Sequence, residues 1–179
     1  MEPRIRVRPA AGLDRSVVDA FLEANHTAVV ARRAELLDAR REQAILAEDD
    51  AGTLVGVATW VVRGDEIELL TIHVDRQWSG IGSALIDAVA AVGRRRGCRR
   101  LWLVTTNDNV DALRFYQRRG LRLRALRAGA VDEARRTLKP AIPGRGLHGI
   151  PIRDELELEL DLDGASGKSG GTENASDHV

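Results

Sequence analysis

The hydrophobic positions of this chain change period several times, and the changes divide it into elements. Ile5 to Arg8 alternates apolar and polar residues and reads as a short first strand. Leu13, Val17, Val18, Phe21 and Leu22 recur at helical spacing, as do Val29, Val30, Leu36 and Leu37. Two helices are therefore expected between about Asp14 and Arg40. Strand-like runs follow at Gln43–Glu48 and Thr53–Val62, separated by the turn residues Asp49, Asp50, Ala51 and Gly52. Gly64 and Asp65 mark a further turn before the strand Ile67–Val74.

A long helix should begin near Gly80, with Ile81, Leu85, Ala88, Val89 and Val92 as its buried stripe. Arg94, Arg95 and Arg96 close it, where cations favour the negative end of the helix dipole; with Arg99 and Arg100 they read as a solvated helix end. Leu101–Thr106 is nearly continuously apolar or β-branched, as in a central strand covered on both faces. Asn109 is positioned to cap a helix running to Arg119, and Gly120 to terminate it. The last two strands alternate most cleanly. In Leu121–Ala125 the arginines 122 and 124 share one face. In Glu155–Leu162 the leucines take one face and Glu155, Glu157, Glu159 and Asp161 the other. These two strands are predicted to be antiparallel neighbours, arginines against acids. The element order describes a mixed α/β sheet with helices on both faces and lacks the strict alternation of a doubly wound fold.

Length and charge narrow the function. The chain has 179 residues, consistent with one domain, expected over residues 1–163. Residues 164–179 contain four Gly and three Ser with little to bury, so a disordered C-terminal tail is expected there. Lys+Arg and Asp+Glu are both 27, and this zero net charge argues against nucleic-acid or membrane-surface partners. No apolar run reaches membrane-helix length and the N-terminal segment is not signal-like, so a cytoplasmic protein is expected. A single cysteine, Cys98, excludes an internal disulfide framework and a cysteine-based zinc site; it reads as a small buried residue.

The most informative stretch is Arg76–Leu85, which joins the end of a strand to the start of a helix. Gln77-Trp78-Ser79-Gly80-Ile81-Gly82 places two glycines in that turn. Glycine permits close backbone approach, and a helix N-terminus offers unpaired N–H groups and partial positive charge; together they suit a phosphate or pyrophosphate. The dinucleotide fingerprint is incomplete, since Leu85 stands where its third glycine belongs, and the Gly-Lys-Ser/Thr of a phosphate-loop NTPase is absent. On spacing alone, a tight strand-to-helix turn with no ligand explains the pattern equally well.

A second segment, Thr105–Leu123, follows a buried strand and forms a helix and then a strand. Together the two segments resemble the GCN5-related N-acetyltransferases (GNAT family). Gln77-x-x-Gly80-x-Gly82 looks like that family's acetyl-CoA pyrophosphate loop. Asn107, Asn109, Ala112, Phe115-Tyr116 and Gly120-Leu121 look like its second cofactor segment. The resemblance covers about Ile5 to Leu162. It implies a mostly antiparallel sheet of six to seven strands with one splayed parallel pair, Ile67–Val74 beside Leu101–Thr106, which takes the pantetheine arm as a pseudo-strand. It also implies that Ile72, His73 and Val74 offer backbone groups to that arm. Gln77, Ser79, Gly80, Ile81, Gly82 and Ser83 would hold the pyrophosphate, with Asn107, Asn109, Ala112 and Tyr116 along the second segment. Acetyl-CoA is then a cosubstrate, and no metal is required.

The implied reaction is acetyl transfer from a thioester to an amine, which needs a neutral amine and a protonated thiolate. Tyr116 is the only tyrosine and stands where the family carries its general acid. Glu68, with Glu66 as the alternative, is the expected base, acting directly or through water. Regular strand alternation puts both on the face of Leu70, Ile72 and Val74, with His73 opposite. His73 and His26 read more simply as structural. The acceptor is expected between the first two helices and the loop from Arg127 to Pro151, whose AVDEARR forms a helical turn. Glu23 and Glu35 are candidates to attract a cationic amine. The acceptor is a small-molecule or peptide amine, and a homodimer is compatible with the family, although no seam in the sequence marks one. Two other readings fit the same residues: a non-catalytic acetyl-CoA or CoA sensor, and a binder of some other phosphate ligand.

Overall fold

In a computed structural model, which describes residues 5–76 and 79–163, a seven-stranded sheet is flanked by helices on both faces. The elements are β1 (Arg6–Pro9), α1 (Arg15–Ala24), β2 (Val29–Arg32), β3 (Glu35–Asp38), β4 (Gln43–Glu48), β5 (Leu54–Arg63), β6 (Glu66–Val74), α2 (Ile81–Arg95), β7 (Arg100–Thr106), α3 (Val110–Arg118), β8 (Arg122–Arg127), α4 (Ala130–Thr137) and β9 (Glu155–Asp161). The sheet order is β1-β4-β5-β6-β7-β9-β8, and every pairing is antiparallel except β6 with β7.

One face of the sheet carries α2. Its Ile81, Leu85, Ile86 and Val89 are almost wholly buried, and burying each such side chain contributes about 1.5–3 kcal/mol. Ile67, Leu69, Leu101, Leu103 and Leu158 meet them from the sheet, together with Cys98 and the α3 residue Tyr116. The opposite face carries α1, whose Val18 and Leu22 pack on Leu46, Val57 and Leu70. The expected pairing of the last two strands is present: β8 and β9 are antiparallel with Arg122 opposite Glu159, and Arg127 bonds Glu157 at 2.7 Å. Arg100 belongs to this ladder and not to a solvated helix end: it joins Glu66 at 2.7 Å and Glu159 at 2.6 Å. Arg99 pairs with Asp65.

The second expected helix is a β-hairpin. β2 and β3 pair antiparallel with Val30 opposite Leu37 and Ala31 opposite Leu36, so the apolar spacing that looked helical reports cross-strand partners. The connecting residues Arg33 and Ala34 both have positive φ (49° and 59°), the primed-turn conformation of a two-residue hairpin loop. Neither residue type signals such a turn. Tertiary bonds hold it instead: the Arg33 N–H donates to both carboxylate oxygens of Glu155 at 3.0 and 3.1 Å. Val30 and Leu37 pack beside α1 on the second core. At the other end of the hairpin, Lys139 after α4 donates to the Val29 carbonyl at 2.6 Å.

A second correction concerns β6. The register with β5 slips so that Thr59 faces Thr71 and Trp60 faces Leu69, leaving Leu70 as a bulge. Ile72 pairs with Ala58 and packs in the α2 core together with Val74, whereas Leu70 packs on the α1 side. His73 pairs with Val57, an α1-face residue. The bulge therefore puts His73 on the same face as Glu68 and moves Ile72 and Val74 to the other, the reverse of unbroken alternation.

Candidate active site

β6 and β7 are hydrogen-bonded only at their beginnings, through Glu66–Arg100, Ile67–Leu101 and Glu68–Trp102. Beyond Glu68 the two strands part. β6 stays paired to β5 up to Val74, and β7 to β9 up to Thr106, so the edges facing the gap keep free backbone donors and acceptors. The gap opens into a cleft of about 690 Å³. Ile72, His73 and Val74 line one side, and Asn109, Ala112, Phe115 and Tyr116 of α3 the other. At one end lie Ser79, Gly80, Gly82 and Ser83.

That end is the N-terminus of α2. Gly80 caps the helix at φ 80°, a left-handed conformation in which a side chain is strained. Gly82 faces the Phe115 ring so closely that a Cβ there would stand 3.2 Å from Cζ. Among the described residues no side chain caps this helix end, and it borders the cleft, which favours an anion. Arg76, Arg118 and Arg119 line the same cleft.

The chain matches the family model "Acetyltransferase (GNAT) family" over residues 12–121. It belongs to the GNAT acetyltransferase family. It is 40% identical over 117 residues to the uncharacterized protein YdhI of Bacillus subtilis (strain 168), covering 65% of this chain and 72% of that one. It is 33% identical over 123 residues to an uncharacterized N-acetyltransferase of Mycobacterium tuberculosis, covering 65% and 76%. In fold it is similar to an IAA acetyltransferase from Bacillus cereus, with TM-score 0.64, 19% identity, and 88% and 99% of the two chains covered. A Bacillus subtilis acetyltransferase in complex with CoA aligns with TM-score 0.62, 20% identity and the same coverages.

Within this GNAT fold, most of the residues expected at the cofactor line the cleft, but not all. Ile81 is buried in the α2 core. Gln77 lies outside the described residues, as do the tail from 164 and residues 1–4. Asn107 is not in the cleft. Its side-chain oxygen accepts from Arg153 N and Asp154 N, both at 2.9 Å, and its amide donates to Pro151 O at 2.9 Å, clasping the segment before β9 to the end of β7. Asn109 caps α3 through Ala112 N at 3.2 Å and does line the cleft. Tyr116 is buried among α2-face residues at the cleft wall, and burial pushes its phenol up to about 12.

Glu68 also stands apart from the cleft lining. It is buried on the α1 face, where Arg32 of the hairpin donates to both of its oxygens at 2.5 Å. Burial pushes the Glu68 carboxyl up, and the guanidinium opposes that push. Arg32 also reaches Glu35 at 2.7 Å and lies 5.7 Å from the Trp102 ring centroid. Glu23 is tied to Arg40 at 3.0 Å. His26 is exposed in the left-handed turn after α1.

Three further site residues were invisible to the sequence reading. Asp108 is buried and holds the late loop over the mouth of the cleft. It accepts from Leu147 N at 3.1 Å and from the Thr106 hydroxyl at 2.5 Å, and Leu147 lines the cleft. Arg32 and Glu155 bind the hairpin to the sheet, and only tertiary contact reveals them. No group of three or more potential metal ligands occurs among the described residues.

Proposed function

We propose that this enzyme transfers an acetyl group from acetyl-CoA to a primary amine of a small molecule or peptide. The observation that carries the reading is the parallel pair β6–β7, splayed after Glu68–Trp102, whose gap runs to the glycine-capped N-terminus of α2. Free strand edges suit the amide groups of pantetheine, the glycine turn suits a pyrophosphate, and the cleft has room for an extended arm. Bound there, acetyl-CoA would supply the acetyl thioester. Ile72, His73 and Val74 would hold the arm by backbone groups, and Ser79, Gly80, Ile81, Gly82 and Ser83 the pyrophosphate; Gln77, in the same turn by sequence, is included on the resemblance alone. Asn109 and Ala112 line the opposite wall. Asn107 supports that wall through its clasp on the β9 entry.

Tyr116 is the proton donor in this reading. A phenol held near 12 stays protonated at neutral pH and so keeps its proton to donate. Because an ordinary thiol loses its proton at about pH 8.5, the transfer to sulfur goes forward only as the acylated nitrogen returns a proton to the phenolate. Glu68 as base would have to act through water, because Arg32 occupies both of its oxygens. Its more immediate part is to fasten the hairpin over the face on which the acceptor is proposed to sit.

The test is thermal. At 100 times Kd, acetyl-CoA should stabilise the fold by about 2.7 kcal/mol. That corresponds to a Tm rise of about 5 to 11 °C, with no matching rise from NAD or ATP. Thiol release in the presence of an amine panel then separates turnover from mere binding. A folded protein whose Tm ignores acetyl-CoA removes the cosubstrate from the reading.

A further inference from the structure

We propose that His73 is the group that takes the proton from the acceptor ammonium, an assignment that rests on the acetyltransferase reading above. Three independent placements converge on it. The bulge at Leu70 turns the His73 side chain onto the α1 face, opposite the α2 face from which Tyr116 reaches the cleft. His73 also lines the cleft, on the last turnless stretch of β6 beside the splay. And among the described residues no hydrogen bond or ion pair occupies its ring nitrogens, whereas Glu68 on the same face has both oxygens taken by Arg32. An acid on one side of the gap and a free base on the other is the arrangement an amine attacking a thioester requires.

The proton balance is complete. The ammonium gives one proton to the imidazole, the neutral nitrogen bonds to the thioester carbon, and the C–S bond breaks. Tyr116 protonates the departing sulfur, the second N–H proton of the new amide nitrogen restores the phenol, and the imidazolium passes its proton to solvent.

Burial supports this role by holding the imidazole below its ordinary pKa, so that it is neutral and able to accept at pH 7. The titratable and charged groups around it come from several elements. Tyr116, Asp111 and Arg118 line the cleft from α3, Arg119 from the C-cap of α3, and Arg76 from the segment after β6. α1 brings Asp19 and Glu23 to the same face of the sheet, and the hairpin brings the Arg32–Glu68 pair.

The experiment is a pH profile of kcat/KM, read by thiol release with the best amine of a panel, on wild type, His73→Ala and Glu68→Gln. Acetyl-CoA affinity and Tm are measured alongside. The expected result is that His73→Ala binds acetyl-CoA like wild type and loses about 100-fold or more in kcat/KM. It should also lose the acidic limb of the profile and recover activity when imidazole is added. If His73→Ala keeps that limb and Glu68→Gln loses it, the base is Glu68 through water and this inference is overturned while the acetyltransferase reading stands. If wild type binds acetyl-CoA but releases no thiol with any amine, both fall together.

Discussion

Arg32 and Glu68 lie 36 positions apart, yet two hydrogen bonds of 2.5 Å lock the guanidinium of one to both carboxylate oxygens of the other, out of reach of solvent. The pair joins an element that local sequence misdescribes to the strand that borders the cleft. Removing one partner leaves the other charged and buried. Arg32→Ala should therefore destabilise the protein by about 3–5 kcal/mol in urea unfolding. The double change Arg32→Met with Glu68→Leu should recover most of that loss. A single variant within 1 kcal/mol of wild type, on about the scale of an exposed ion pair, would mean that the pair is not closed in solution.

Tyr116 offers the sharpest functional prediction. Its ring packs 5.5 Å from that of Phe115 and in the α2 core, and Phe would keep that packing. Tyr116→Phe should lower kcat by about 10²- to 10⁴-fold while leaving acetyl-CoA affinity and Tm nearly unchanged. In wild type, deprotonation of a phenol held near 12 should produce no loss of activity up to pH 10. Unchanged turnover in the Phe variant would eliminate the proton-donor role.

The two glycines of the turn should respond differently. Around Gly80 nothing crowds a Cβ, but its φ of 80° makes any side chain costly by about 1–2 kcal/mol, so Gly80→Ala should lower Tm and weaken acetyl-CoA binding together. Gly82 has an ordinary helical backbone, and its added Cβ meets only the tip of the Phe115 ring at 3.2 Å. Gly82→Ala should raise the Kd for acetyl-CoA with little change in Tm. Equal effects of the two changes on both readouts would contradict this division.

Acid stability should depend on Asp14. Arg8 donates to its oxygens at 2.7 and 2.9 Å and Ala11 N at 2.7 Å; these bonds, the Arg8 pair first, hold its carboxyl down to about 2. In the unfolded chain the group protonates at an ordinary value, so its contribution is complete above about pH 4 and drains away as the pH falls toward 2. Tm measured against pH should show wild type above Asp14→Asn at pH 6 and the two curves converging by pH 2. Parallel curves would assign the difference to something other than this ionisation.

Much of the fold was legible in the sequence where one period persisted long enough. The stripe Ile81–Val92 makes α2, the continuous run Leu101–Thr106 makes β7, and the leucine–acid alternation of Glu155–Leu162 makes β9 and selects the arginines of β8 as its neighbours. The hairpin was not legible, because the apolar spacing of Val29, Val30, Leu36 and Leu37 fits a helix and a hairpin alike. Its turn, Arg33-Ala34, carries none of the usual residue types; Glu155, 122 residues away, holds it. The site divides in the same way. Gly80 and Gly82 announce themselves through local chemistry and Tyr116 only through the family resemblance, whereas Asn107 looked like a cofactor residue and spends its amide on Pro151 and the β9 entry.

By itself, then, the sequence determined most of the strands and helices, the glycine turn and the family resemblance, because these rest on repeated patterns of burial and on local turn chemistry. Tertiary structure alone decided which groups face the gap. A single bulged residue, Leu70, exchanges the two faces of β6, and no periodicity in that strand encodes it; the register with β5 does. That slip sets His73 toward the α1 face and Ile72 toward the α2 core, while the distant guanidinium of Arg32 holds Glu68 apart from the cleft lining. Such choices are made by pairing partners far along the chain, so they become visible only when the chain is folded.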